Sequence, residues 1–213
     1  MIAFCVGSYF IGNINFAIIF SRTRKKDIRN VGSGNAGTTN MLRAFGFRIA
    51  LLTLVLDGLK GAVPALIAYF SFGMGTAEGM LALYACGFAT VLGHCYPVLY
   101  RFRGGKGVAT IVGVFFVANP LVAFIAFMVG IIYVLIWEYS AISSLIFVTT
   151  MVIYQSLQYN YYLSVNLILF AFYLLVWITH RKNIFRLLTG EESRASILKK
   201  LKRKTMIKKQ QDW

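Results

Sequence analysis

The stretch VATIVGVFFVANPLVAFIAFMVGIIYVLIW, residues 108–137, decides how many times this chain crosses a membrane. A spanning helix needs about 20 apolar residues. Residues 108–118 fall well short of that, and Asn119 and Pro120 separate them from the apolar run 121–137. Pro120 has no N–H and disfavours a continuous helix, so the stretch reads as two segments meeting at a break.

Other apolar runs cover roughly 2–20, 49–72, 79–99, 139–157 and 163–179. Of 213 residues, 58% are hydrophobic and only 14% charged, against about 25% charged in soluble domains. The mean hydropathy is +0.68. Repeated long apolar runs make this an all-α integral membrane protein. No polar stretch is long enough to fold separately, so one membrane domain (1–192) is expected, followed by a basic cytoplasmic tail (193–213). Residues 2–20 lack a basic n-region and an A-x-A-like site, and read as a retained first span.

Charge settles the count. Every Lys and Arg except Lys60 falls within 22–48, 101–106 or 181–209, and the linkers near 73–78, 119–120 and 156–162 have none. By the positive-inside rule the basic group is cytoplasmic and the uncharged group external. With Lys106 and Arg181 both inside, an even number of crossings lies between them, and the four runs from 108 to 179 satisfy this. Seven transmembrane helices are expected, one of them short, with the N-terminus outside and the C-terminus cytoplasmic; five spans is the alternative.

The net charge of +15 flanks apolar segments, which points to anionic lipid and topology rather than nucleic acid. Cys5, Cys86 and Cys95 are odd in number and lie in or beside apolar runs; they give neither a disulfide framework nor a zinc site. Asp57 and Lys60, at i and i+3 within one run, are expected to form an ion pair inside the bundle in preference to a substrate role. Asn13 and Asn15 are expected to hydrogen-bond between helices.

Three polar islands remain. The first, NVGSGNAGTTNMLR (30–43), alternates glycines with short hydroxyl and amide side chains, and a helical pattern begins near Met41. Such a loop entering a helix is an anion site or merely a capped turn, and the residues alone leave the two equal. Ser33, Asn35, Thr38, Thr39 and Asn40 can cap, donate to phosphate or hold a polyol, and Arg43 can grip phosphate with two N–H groups. The second, VLYRFRGGKGVAT (98–110), preceded by His94, has three glycines around Lys106; a glycine-rich backbone can turn its N–H groups toward an anion. The third, HRKNIFRLLTGEE (180–192), places Asn183 and Arg186 on one helix face, with Gly190 as a stop. Charge and parity put all three at the cytoplasmic face.

Familiar alternatives fail on spacing. Lys106 is followed by Gly107, so the P-loop pattern is absent. Val31 occupies the first glycine position of a nucleophile elbow at Ser33. Neither His94 nor His180 has an acidic residue five positions on, and neither sits in a metal-ligand cluster.

NVGSGNAGTTN, GHCYPVLYRFRGGKGVAT and HRKNIFRLLTGEE resemble, in this order, the three motifs of the bacterial acyl-phosphate:glycerol-3-phosphate acyltransferases, the PlsY family; LDGLKGAVPALIA between the first two is also similar. Asn13 stands where that family commonly has Ser, and Lys182 replaces a usual Glu. The resemblance implies seven helices with motifs facing the cytoplasm of a bacterial inner membrane. It further implies acyl transfer from a fatty acyl-phosphate to the sn-1 hydroxyl of glycerol 3-phosphate, yielding lysophosphatidate and phosphate, the first step of phospholipid synthesis. The soluble enzyme that makes acyl-phosphate becomes a candidate partner, beside membrane lipids.

An acyl-phosphate is a mixed anhydride with a good leaving group, so positioning and charge stabilisation dominate the chemistry. Ser33, Arg43, Lys106, His180 and Asn183 are the candidate catalytic residues. Gly32, Gly34, Asn35, Thr39, Asn40, His94, Gly104, Gly105, Gly107, Arg181, Arg186 and Glu192 are the candidate substrate-binding residues. Neither cofactor nor metal is expected. Direct attack is favoured over an acyl-enzyme, because neither Ser33 nor Cys95 has a recognisable activating base. A phosphoester transporter and a membrane scaffold are the competing classes; the first lacks an internal repeat, the second leaves the islands unexplained.

Overall fold

The computed structural model describes residues 1–195, in which the regular structure is all helical, without strands. Its helices are α1 (Ile2–Asn13), α2 (Phe16–Arg22), α3 (Thr38–Phe45), α4 (Phe47–Ser71), α5 (Ala77–Cys95), α6 (Val108–Ala118), α7 (Pro120–Trp137), α8 (Ser140–Gln158) and α9 (Leu163–Leu188). Counting α1 and α2 as one broken span, six segments are long and apolar enough to cross a membrane, and α6 is the short seventh. The protein is an all-α integral membrane protein of the expected composition.

The junction at Asn119 and Pro120 forms as its chemistry requires. Asn119 leaves the helical region (φ −155°, ψ 90°) and its side chain accepts from Val122 N, capping α7, while Pro120 takes the first turn where no N–H is needed.

Three local expectations are corrected. The first span is not continuous: Ile14 (φ −68°, ψ 99°) and Asn15 (φ −102°, ψ 103°) are extended, and Asn15 caps α2 by accepting from Ile18 N. Asn13 and Asn15 therefore serve that break and nearby loops. Asn13 Oδ1 accepts from Leu99 N at 3.3 Å, and Asn15 Nδ2 donates to Ala36 O at 3.5 Å. Third, helix α3 begins at Thr38 rather than near Met41. The third island, by contrast, is helical as expected, continuing the last apolar run as one 26-residue helix that stops just before Gly190. The basic tail expected over 193–213 lies, from residue 196 on, outside the described residues.

Hydrocarbon offers no hydrophobic drive between helices, so close backbone approach takes its place. A Cβ on Gly12 would strike Thr90 O of α5, and one on Gly93 would strike Tyr9 O of α1; Gly61 and Gly113 meet Thr110 O and Gly58 O in the same way between α4 and α6. The apolar core, with Tyr84, Phe115, Phe147, Met151, Leu169 and Phe172 at its centre, joins α5, α6, α8 and α9. Together these contacts fix the ends of α4, α5, α6 and α9 around the three islands.

Candidate active site

The first island folds around one buried amide. Asn40 Oδ1 accepts from Ser33 N at 3.1 Å, and its Nδ2 donates to Val31 O (2.8 Å), Asn35 O (3.1 Å) and Ile28 O (3.2 Å). Gly32 and Gly34 take left-handed angles (φ +59° and +71°), which lets the loop wrap this side chain. Asn40 borders the cavity described below, but its amide is committed to the loop.

In the second island, Gly104 and Gly105 are packing positions. A Cβ at Gly104 would hit His94 O, and one at Gly105 would hit His94 Nε2 and Ala36 O. The loop therefore lies flat on the end of α5 and on the first island. Gly107 (φ +82°) turns it into α6.

A charged cluster supports this loop from below. Lys60 Nζ lies 2.8 Å from Asp57 Oδ1 and 2.8 Å from His94 Nδ1, and donates to the carbonyls of Ile14 (2.6 Å) and Gly12 (3.3 Å) at the break between α1 and α2. The expected ion pair is present, and it extends to His94. All three side chains are buried.

The third island closes the group. Lys106 Nζ donates to Asn183 Oδ1, Asn183 Nδ2 donates to Glu192 Oε1 at 2.7 Å, and Arg186 Nε donates to Glu192 Oε2 at 2.7 Å. Gly190 (φ +75°) reverses the chain after α9 so that Glu192 can reach back. Arg43 Nη2 donates to Ser193 O at 2.9 Å, tying α3 to the same segment. His180 Nδ1 bonds Val176 O at 2.9 Å. A carbonyl only accepts, so this nitrogen carries a proton, and in the neutral ring Nε2 holds the lone pair.

These groups line one cavity of about 280 Å³. Its polar end comprises Ser33, Asn35, Thr38, Thr39, Asn40, Arg43, Asp57, His94, Lys106, Gly107, His180, Asn183 and Glu192. Its mainly apolar arm runs between α4, α6, α7 and α8, past Leu54, Val112, Phe127, Ile131, Val134 and Phe147. Ser140, Ser143 and Ser144 of α8 are also on its wall, with the hydroxyls of Ser143 and Ser144 spent on the carbonyls of Gly130 and Ser140. Among the sequence-derived candidates, Gly32, Gly34, Gly104, Gly105, Arg181 and Arg186 do not line it. Arg186 acts on it through Glu192, whereas Arg181 is exposed and turns back to Ile178 O at 3.1 Å. The sequence reading missed Asp57 as a wall residue and missed the apolar arm, whose residues look like any lipid-facing helix.

Burial pushes the Lys106 ammonium down to about 8; the carboxylate of Glu192 opposes this, and the charges of Arg186 and Arg43 add to it. Arg43 is lowered chiefly by burial, with Glu192 opposing and Arg186 adding. Three cations thus share one carboxylate, an excess that suits an anionic ligand. Among the described residues no group of three His, Cys, Asp or Glu could hold a metal ion.

A family model described as glycerol-3-phosphate acyltransferase matches residues 2–190. The chain belongs to that family. A glycerol-3-phosphate acyltransferase from a Thermoanaerobacter species is 42% identical over 204 residues, covering 94% of this chain and 96% of its own. One from Aquifex aeolicus is 40% identical over 187 residues, covering 88% of this chain and 95% of its own. Crystal structures of PlsY, an integral membrane glycerol 3-phosphate acyltransferase, superpose with TM-scores of 0.84 for its glycerol 3-phosphate form and 0.79 for its lysophosphatidic acid form. They are 39% and 38% identical to this chain, covering 94% and 91% of it and 98% and 94% of PlsY. The glycerol-3-phosphate acyltransferase architecture therefore extends over residues 2–190, which supply all but Glu192 of the cavity's lining.

Proposed function

We propose that this family member transfers a fatty acyl group from acyl-phosphate to the sn-1 hydroxyl of glycerol 3-phosphate, releasing lysophosphatidate and inorganic phosphate. One observation carries the reading: three islands separated by long apolar helices line the polar end of a cavity whose other end is an apolar arm between helices. A phosphorylated head and an acyl chain together match such a shape.

In the proposed reaction the sn-1 oxygen attacks the acyl carbonyl carbon, the carbon–oxygen bond to phosphate breaks, and phosphate departs. Lys106 and Arg43 hold phosphate oxygens and stabilise charge as it develops. Ser33, Asn35 and Thr39 orient the polyol. Asn183 aims Lys106, and Glu192, bonded to Arg186 and Asn183, fixes that aim. The proton leaves to His180 Nε2 or to a substrate phosphate oxygen, and His180→Gln separates these: retained turnover assigns the phosphate. Among the described residues neither the Ser33 hydroxyl nor the Cys95 thiol is hydrogen-bonded to a base, which favours direct attack over an acyl-enzyme.

Basic loops on one side and uncharged linkers on the other support a cytoplasmic active site in a bacterial inner membrane, with the N-terminus outside. The proposed division into a membrane domain and a basic tail falls near Glu192, although Ser193 and Ala195 still bond to Arg43 and Glu138 of the helical body.

Purified protein given glycerol 3-phosphate with either acyl-phosphate or acyl-coenzyme A tests the donor. Lysophosphatidate is expected from acyl-phosphate alone, acylated at sn-1 by NMR. Product from acyl-coenzyme A alone would overturn the donor assignment, and 2-acyl product the position.

A further inference from the structure

A second cavity, of about 760 Å³, lies on the other side of the same loops. It is lined by Arg22, Asp27, Arg29, Asn30, Gly34, Leu99, Tyr100, Arg101, Arg103 and Gly104. Gly34 neighbours Ser33 and Asn35 of the first cavity, and Gly104 lies two residues before Lys106, so the same two loops contribute to both chambers, which share no lining residue.

Four guanidinium groups face one carboxylate here. Asp27 is taken by Arg29, whose Nε and Nη2 lie 3.0 and 2.6 Å from its oxygens, with Arg22 at 3.8 Å. The guanidinium carbons of Arg22 and Arg29 stand 5.4 and 5.8 Å from the Tyr100 ring centroid, which holds both in place. Arg101 and Arg103 have no side-chain hydrogen bond or ion pair among the described residues, and both are exposed. They rise from a backbone in which Arg101 and Phe102 both take left-handed angles (φ 55° and 58°). For residues with a Cβ that conformation is costly and is usually kept for a purpose. The rim beside them is apolar: Leu99 is 68% and Phe102 61% exposed. Aromatic and aliphatic tips next to arginines suit the level of lipid headgroups.

We propose that the Arg22–Arg29–Arg101–Arg103 chamber is a second anion site, for a phosphate monoester dianion at headgroup level, separate from the chamber containing Lys106. Three uncompensated positive charges match a dianion, and guanidinium forks match two oxygens of one phosphate. Asn30, exposed at the wall, adds an amide donor. A phosphatidate-type headgroup and free phosphate share this chemistry, and the apolar rim favours the lipid. The proposal does not depend on the acyl-transfer reading, and binding rather than turnover tests it.

The experiment uses the full chain in detergent carrying Lys106→Ala, so that the first cavity is impaired, and native mass spectrometry with dioctanoyl phosphatidate, dioctanoyl phosphatidylcholine and inorganic phosphate. Phosphatidate is expected to bind, phosphatidylcholine not, and Arg101→Gln with Arg103→Gln to weaken phosphatidate by at least about tenfold, since each lost contact is a charge-assisted hydrogen bond. Unchanged melting temperature confirms that the double variant is folded; the single variants Arg101→Gln and Arg103→Gln, each removing one charge, replace it if melting falls. Displacement of phosphatidate by an equal concentration of inorganic phosphate assigns the site to the free ion. Equal binding of phosphatidylcholine, or phosphatidate binding unchanged by the arginine substitutions, overturns the proposal.

Discussion

Lys106 and Asn183, 77 residues apart in the chain, are joined by a hydrogen bond from the ammonium to the amide oxygen. Asn183 passes the constraint on, because its amide nitrogen donates to Glu192 at 2.7 Å. Asn183→Ala should leave Lys106 present but unaimed. Since a displacement of about 1 Å can cost about 100-fold in rate, kcat/KM for glycerol 3-phosphate should fall by about that factor with melting unchanged. A fall below about threefold would remove Asn183 from the site.

The depressed Lys106 sets a pH limit. Its charged form is present below about 8 and lost above it. If that charge holds phosphate, kcat/KM should decline above about pH 8, approaching tenfold per unit. Lys106→Arg should retain part of the activity and move that limb beyond the measurable range, because a guanidinium stays protonated. An alkaline limb at the same pH in Lys106→Arg would assign the titration to another group.

Asp57 and Lys60 lie 2.8 Å apart in the bundle, both buried. Lys60→Met strands the carboxylate and should destabilise by about 3–5 kcal/mol. Adding Asp57→Asn should recover a large part of the loss, measured by thermal unfolding in detergent. A double variant as unstable as the single one would mean that the Lys60 bonds to Gly12 and Ile14 matter more than the pair.

Gly113 abuts the carbonyl of Gly58, and an added methyl has no room unless α4 and α6 separate. Gly113→Ala should cost about 1–3 kcal/mol, the range for overpacking. Gly7, with open space around its added Cβ, is the control, and equal melting shifts for the two would refute close packing at Gly113.

Gly105 meets His94 Nε2 and Ala36 O. Gly105→Ala should displace the Lys106 loop and reduce kcat more than it reduces stability, seen by comparing turnover with melting. Unimpaired turnover would show that the loop tolerates the shift.

The apolar runs, the break at Pro120 and the grouping of Lys and Arg were sufficient to specify the spans and their number, because hydrocarbon thickness and the cost of burying charge act on local sequence. The same local chemistry marked Ser33, Arg43, Lys106, His180 and Asn183 as candidates, and all five line the one cavity. What only the tertiary structure decided was partnership: that Asn40 spends its amide on its own loop, that Arg181 turns away while Arg186 reaches Glu192, that His94 joins Asp57 and Lys60, and that Phe127 and Phe147 wall a cleft rather than face lipid. The His94 contact with Lys60 spans 34 residues. The bonds of Asn40, Arg181 and Arg186 are local in the chain, but which of the available partners each side chain takes is set by the packing around it, and a one-dimensional pattern carries no record of that.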